Sequence, residues 1–414
     1  MSLTERLTAW TTPAGVDRHA RFVLMSRGLR GFCDGYVAVL LPAYLLALGF
    51  GARDVGLIGT ATLLGSAFAT IAIGALANRF EPNRMLRAAA ALMAATGIGF
   101  AFLQSLWPLV VVAFVGTLNP SSGDVSVFLP LEQARLAGWS SGHARTALFA
   151  RYSLVGAVCA SLGALAAGVP TWLAAHFAIP ALMVMRAMFV FYAVTGSTVW
   201  VLYGRLPQPE PHAAAPTATP LGTSKRIVIR LALLFSIDAF AGGLVINALL
   251  SLWLMQRFGL SIAAAGQFFF GTGLLSAASQ LVAVPLARRI GLLNTMVFTH
   301  IPSSLCLISA AFATSLPWAI GLLLVRSALL QMDVPTRTAY VMAVVTPAER
   351  PAAASFTAVP RSLAAAVAPA LAGGFIGMGW LSLPLIACGG LKIAYDLLLF
   401  MACRHVRLDE GVPR

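Results

Sequence analysis

Charge is what this chain has least of. Only 10% of its 414 residues are Asp, Glu, Lys or Arg, against roughly a quarter in an ordinary globular domain. That shortage, set beside a hydrophobic content of 59%, excludes most soluble readings. Apolar runs longer than about 20 residues recur, each long enough to cross the hydrocarbon of a bilayer. The formal charge of +14 would suggest a nucleic-acid partner in a soluble protein. Here it comes from basic residues gathered in short loops on one side of a membrane. Cysteines are few and badly spaced for bridging or metal binding. Cys33, Cys159, Cys306 and Cys388 lie in apolar runs, Cys403 ends one, and no CxxC occurs, so neither a disulfide framework nor a zinc site is expected. His176 and His300 are isolated, with no ligand spacing around them. No nucleophile–base pattern appears, so no catalytic residue, cofactor or metal is expected. The first 22 residues have no apolar core ahead of a small-residue cleavage site, so no signal peptide is expected either.

What is there is helical membrane span. Lipid leaves no water for unpaired backbone groups, so the expected class is an all-α integral membrane protein. The apolar runs predict twelve transmembrane helices, at about 22–48, 55–78, 85–105, 108–133, 145–168, 178–203, 227–256, 262–287, 292–314, 318–342, 351–377 and 381–402. Pro42, Pro120, Pro130, Pro335, Pro360 and Pro369 predict kinks in or near them. Basic residues follow the even-numbered helices and precede the first, whereas only Arg53 and Arg257 lie in the opposite loops. Both termini are therefore expected in the cytoplasm. A Pro- and Ala-rich stretch without helical period joins two six-helix halves. The division is 1–203, a flexible linker over 204–226, and 227–414.

The halves echo each other. Asp34 in RGLRGFCDGY answers Asp238 in SIDAFAGG, at an offset of about 204. Gly65 answers Gly273, Asp124-Val125 answers Asp333-Val334, and Arg151 answers Arg361. Four matches in the same order predict pseudo-symmetric halves with the substrate site between them.

Embedded charge supplies the candidate site residues, because an ionisable group at membrane depth is costly and faces protein, a cavity or a ligand. Asp34 has Arg30 four residues earlier on the same helix face. The two are read either as an internal ion pair or as a proton or substrate site. Asp238 has Leu234 at that position instead, which makes it the better candidate for proton coupling. Asn247 is a hydrogen-bond partner for Asp238 or for a substrate. Asp124 with Arg151, repeated as Asp333 with Arg361, forms the expected structural or gating pairs. Arg326 has no evident mate and is the candidate for substrate charge. Lys392 and Asp396, four residues apart, are expected to pair structurally along one helix face. Membrane glycines such as Gly65, Gly97, Gly156 and Gly163 permit close helix crossings.

The segment GALANRFEPNR resembles the signature loop of the major facilitator superfamily between helices two and three. Gly74, Leu76, Ala77 and Arg79 match its glycine, leucine, alanine and arginine, and Arg84 matches a later basic residue. Asn78 stands in place of its aspartate and Glu81 in place of its glycine. PLARRIG (285–291) is a weaker echo in the second half. The resemblance implies the major facilitator fold and alternating access for a small solute. In the family that aspartate helps to lock the outward-open state. With Asn78 there, the duty falls to another residue, such as Glu81 or Asp124. The arginine that proton-coupled drug exporters carry early in helix four is absent from FVGTLNPSS.

Three functions compete. The first is proton-coupled efflux of a small amphiphilic organic compound, which predicts an apolar, aromatic-lined cavity; Phe268, Phe269 and Phe270 lean that way. The second is uptake or symport of a small organic anion such as a carboxylate, which predicts cavity-facing cations; Arg326 and Arg30 are eligible. The third is a non-transporting receptor or assembly factor, for which no loop offers much surface. The expected partners are the solute, protons and membrane lipid, with no nucleic acid. The expected state is a monomer in a bacterial inner membrane.

Overall fold

A computed structural model describes residues 16–76, 79–121, 126–140, 142–208, 221–222, 224–346 and 349–403. Among them the chain forms sixteen helices: α1 Ala20–Ala47, α2 Ala52–Leu76, α3 Pro82–Phe102, α4 Leu106–Val115, α5 Phe128–Gly138, α6 Gly142–Ala166, α7 Val169–Phe177, α8 Ala181–Gly204, α9 Lys225–Gly243, α10 Asn247–Phe258, α11 Ile262–Ile290, α12 Leu292–Ala311, α13 Leu316–Leu330, α14 Asp333–Val344, α15 Arg350–Gly377 and α16 Leu383–Cys403. Ten helical stretches of the described residues are long and apolar enough to cross a membrane, so the protein is an all-α, multi-pass membrane protein.

The expected unbroken helices 108–133 and 318–342 are not found. Each is replaced by a short apolar helix, α4 of 10 residues or α13 of 15 residues, followed by a break and a second short helix, α5 or α14. At 1.5 Å per residue, α4 rises about 15 Å and cannot span the hydrocarbon alone. Proline is one cause, since Pro120 and Pro335 offer no N–H to the carbonyl four residues earlier. The backbone freed at the breaks finds protein partners instead of water. Thr117 donates its N–H to the Thr96 hydroxyl at 3.3 Å, and Tyr192 donates to the Thr117 carbonyl at 3.1 Å. Irregular backbone survives within a membrane only where protein groups or enclosed water satisfy it in this way.

The chain divides into two compact units. Unit 1 holds Met1–Phe50, Ala61–His212 and Ser261–Phe270. Within it, α1 lies on α6 at backbone contact distance. A Cβ added to Gly31 would sit 2.8 Å from the Gly156 carbonyl oxygen; Gly35 meets the Ala160 carbonyl, and Gly163 that of Phe32, more closely still. α3 and α8 cross in the same manner, with Gly97 against Ala193 and Gly196 against Ala94. Apolar burial gives little drive between helices in lipid, so close van der Waals approach holds these pairs. Asn83 and Arg135 both donate to the Pro207 carbonyl beyond α8, at 2.9 and 2.6 Å.

Unit 2 holds Gly51–Thr60, Ala213–Leu260 and Gly271–Arg414. Here α9 packs on α15, where Gly243 meets the Ala365 carbonyl. The start of α9 is held by Glu349, which accepts from the amides of Gly222 at 2.5 Å and Ser224 at 3.3 Å. The Ser224 side chain and the Gly222 amide keep the Glu349 carboxyl below the usual carboxylate range.

The crossings give a steric prediction. Gly35→Ala forces a methyl onto the Ala160 backbone and should lower unit stability by about 1–3 kcal/mol, as overpacking does. Gly74→Ala, where nothing lies within 4 Å, should leave the thermal midpoint of the detergent-purified protein unchanged. Equal midpoints for the two variants would refute the close-crossing account.

Candidate functional site: two buried charge clusters

Unit 1 is centred on Glu132, in the first turns of α5 and 0% exposed. Arg30 of α1 forms an ion pair with it. Tyr152 of α6 donates to Glu132 Oε2 and Tyr203 of α8 to Oε1, both at 2.6 Å. Four helices therefore meet at one carboxylate. The Arg30 guanidinium also lies 4.0 Å from the Phe128 ring centroid, and Arg27 lies 5.1 Å from that of Tyr152. Asp34 is buried beside Arg27, Arg30 and Asn119. Arg30, which is spaced to pair with Asp34 along α1, also bonds across the bundle to Glu132, so the two carboxylates share its charge.

Unit 2 is centred on Asp238 of α9. Its Oδ1 lies 2.5 Å from Lys392 Nζ of α16, and its Oδ2 lies 3.0 Å from Arg337 of α14. Arg337 is shared with Asp333, one turn earlier on α14, at 3.2 Å. His300 of α12 closes the group. Its Nδ1 lies 3.0 and 3.1 Å from the two oxygens of Asp396, and its Nε2 lies 3.3 Å from Lys392 Nζ.

Three expectations change here. Asp238, which has no cation at i−4, receives two from other helices. Lys392 and Asp396 do not pair along α16, since Lys392 turns to Asp238 and Asp396 to His300. Asp333 pairs with Arg337; Arg361 of α15 lies in the same field, with its Nε bonded to nothing. Asn247 opens α10 and is half-buried, and the bonds of Asp238 go to Lys392 and Arg337 instead. Arg326 is buried on α13 near the Cys306 and Cys388 thiols, and no described residue forms an ion pair with its guanidinium.

In the signature loop, Gly74 borders open space and Arg79 is exposed. Glu81 pairs with exposed Arg84 at 3.2 Å, a type of contact worth little. Asn78 and Asp124 lie outside the described residues, so the Asp124–Arg151 pair does too; Arg151 itself is half-buried.

Sequence reading missed Glu132 and His300. Glu132 falls at the end of the apolar run 108–133 and looks like a loop residue if the span is unbroken. His300 lacks local partners, and its contacts come from 92 and 96 residues away in sequence.

These features define a class: a polytopic helical membrane protein with buried, cross-helix ion clusters in both of its units. The pattern of the Major Facilitator Superfamily matches residues 23–238, and the chain belongs to that superfamily, as a secondary transporter and not an enzyme. An uncharacterized membrane protein of Saccharomyces cerevisiae is 23% identical over 433 residues, covering 96% of each chain. Among solved structures, the nucleoside transporter NupG is similar with a TM-score of 0.72 at 13% identity, covering 94% of this chain and 99% of that one. The human organic anion transporter MFSD10 is similar with a TM-score of 0.61 at 20% identity, covering 92% and 99%.

Removing one member of a buried ion pair strands the other at roughly 3–5 kcal/mol. Glu132→Gln should therefore lower stability by about that amount. Adding Arg30→Met should restore part of the loss, as read from thermal unfolding of the purified protein. A double variant as unstable as the sum of the singles would exclude Glu132 as the partner that neutralises Arg30.

Proposed function

We propose that the protein moves a small organic anion across the cell membrane by alternating access, with protons as the coupling ion. Arg326 carries the reading. A guanidinium only 8% exposed in an apolar helix, with no carboxylate on it among the described residues, calls for water or an anionic ligand. Its surroundings point the same way. In unit 2 the embedded cations Arg326, Arg337, Arg361 and Lys392 outnumber the carboxylates Asp238, Asp333 and Asp396 by one. The likeness to a human organic anion transporter supports the assignment without carrying it. Arg326, assisted by Asn247, reads substrate charge; Asp238, and Asp34 with Arg30, take part in proton coupling. Asp124 with Arg151, and Asp333 with Arg337 and Arg361, are the pairs remade during the cycle.

The second reading is proton-coupled efflux of a small amphiphilic compound. It is favoured by the buried Phe268–Phe269 pair, with ring centroids 5.0 Å apart, and by the buried carboxylate of Asp34. In either reading α4 with α5, and α13 with α14, count as one broken span each. That makes twelve spans in two pseudo-symmetric halves, 1–203 and 227–414, joined by 204–226. Both termini face the cytoplasm of a bacterial inner membrane, and the protein works as a monomer.

A thermal-shift screen separates the readings. Benzoate or succinate at about a hundred times its dissociation constant should stabilise the folded state by roughly 2.7 kcal/mol, and Arg326→Ala should abolish the effect. Stabilisation by tetraphenylphosphonium alone would replace the anion reading with amphiphile efflux.

Orientation is tested separately. A cysteine at Thr223, in a chain otherwise free of cysteine, should react with an impermeant maleimide from the cytoplasmic side only. Labelling from the opposite face would reverse the topology.

A further inference from the structure

His300 sits where two kinds of contact meet, and its ring nitrogens cannot serve both in the same way. Lys392 has three N–H donors and no acceptor while charged, and it gives one of them to Asp238 Oδ1 at 2.5 Å. The contact from Lys392 Nζ to His300 Nε2, at 3.3 Å, therefore needs a bare Nε2. The ring hydrogen then lies on Nδ1, which donates to Asp396. This describes a neutral imidazole in one tautomer. The next acceptor beyond Nε2 is Asp238 Oδ1, at 3.9 Å.

We propose that His300 is the proton-reading residue of unit 2, and that a proton bound at its Nε2 releases Lys392 to meet an anionic substrate. The step moves one proton from hydronium to Nε2: an O–H bond breaks, the Nε2–H bond forms on the ring nitrogen's lone pair, and water is left. Once Nε2 carries hydrogen it cannot accept from Lys392, and two cationic donors then face each other. The new N–H turns toward Asp238 Oδ1, so the imidazolium takes over the negative partner that Lys392 had held. Asp396 keeps its bond to Nδ1 and balances the added charge. Lys392 is left with hydrogen bonds to give and a charge to neutralise. A carboxylate-bearing solute supplies both, which links proton uptake to anion binding. The inference rests on the proton-coupled reading above and adds the residue that performs the coupling.

The groups facing His300 come from every helix packed around it. α16 brings Lys392, Asp396 and the Tyr395 ring, whose centroid is 6.2 Å away. α9 brings Asp238. α14 contributes Arg337 and Asp333, which act through Asp238, and α15 contributes Arg361 in the field of Asp238. α13 brings Arg326, whose carbonyl accepts from Ser303 of α12. Arg337 occupies Asp238 Oδ2 at 3.0 Å, which leaves Oδ1 as the oxygen at which the exchange takes place.

The chain has only two lysines, Lys225 and Lys392, which makes a direct test practical. Lys225 is exposed at the start of α9, and Lys225→Arg leaves Lys392 as the sole lysine. The full chain, labelled with 15N at lysine and histidine and placed in lipid nanodiscs, is titrated from about pH 9 to about pH 5. One histidine, missing in His300→Gln, should change from one protonated nitrogen to two. The Lys392 Nζ resonance should move with the same midpoint, and it should stay fixed in His300→Gln. Asp396→Asn removes the charge that favours imidazolium, so both midpoints should fall together; this arm serves if His300→Gln does not fold. A Lys392 resonance that stays still while His300 titrates would overturn the proposal, as would a His300 that keeps a single proton across the range. No substrate is added, so failure of the carboxylate screen would leave this result intact.

Discussion

The cost of holding charge away from water governs this molecule more than any apolar contact. An unpaired ion in a low-dielectric interior is penalised by several kcal/mol, and each unit answers with a carboxylate that several helices must reach together. Glu132 draws in α1, α6 and α8 through Arg30, Tyr152 and Tyr203. Asp238 draws in α14 and α16, and through Lys392 it reaches α12. Helices in lipid gain little from hiding apolar surface from one another. Glycine crossings such as Gly31 on Gly156 set how closely two helices approach. The polar clusters set which residues must face inward, and so fix rotation and register.

The broken helices belong to the same design. Each interruption costs backbone hydrogen bonds that lipid cannot replace, and Thr96 and Tyr192 recover some of them at the first break. In return, the chain restarts with its charged residues in the opening turns of a new helix. Asp333 and Arg337 begin α14, and Glu132 lies near the start of α5. Inverted or repeated breaks in corresponding segments of membrane transporters commonly mark where ligands and coupling ions act. Here the breaks lead directly into the two clusters.

Much of this was legible in the sequence, and what was not shares one physical cause. Apolar runs located most of the helices, because crossing hydrocarbon demands length and composition that no loop imitates. The embedded charges Asp34, Asp238, Arg326 and Asp333 could be picked out for the same reason. Partner choice could not. Lys392 and Asp396 have ideal i,i+4 spacing, yet that intrahelical pairing yields to cross-helix bonds, and Arg30, spaced for Asp34, is drawn to Glu132 as well. An i,i+4 pair on a helix contributes only a few tenths of a kcal/mol, whereas a buried carboxylate left without a cation forfeits far more. The greater energy decides, and it depends on which helices are neighbours. Glu132 was hidden by the assumption of an unbroken fourth helix, and His300 by the lack of any local partner.

The two clusters also differ in what a change of pH can do to them. Around Glu132 the partners are an arginine and two tyrosines. Arginine keeps its proton throughout the physiological range, and a phenol whose hydrogen is given to a carboxylate has no reason to lose it near neutrality. That assembly is suited to holding four helices in place. Around Asp238 an arginine is joined by a lysine and a histidine, whose hydrogen bonds depend on a single ring proton. Arg326 offers a permanent charge; in the proposed exchange, Lys392 is held or released according to the state of His300. A permanent cation suits recognition of an anion, and a releasable one suits coupling. The proposed function divides those tasks between Arg326, which pairs with no carboxylate among the described residues, and Lys392, which Asp238 holds.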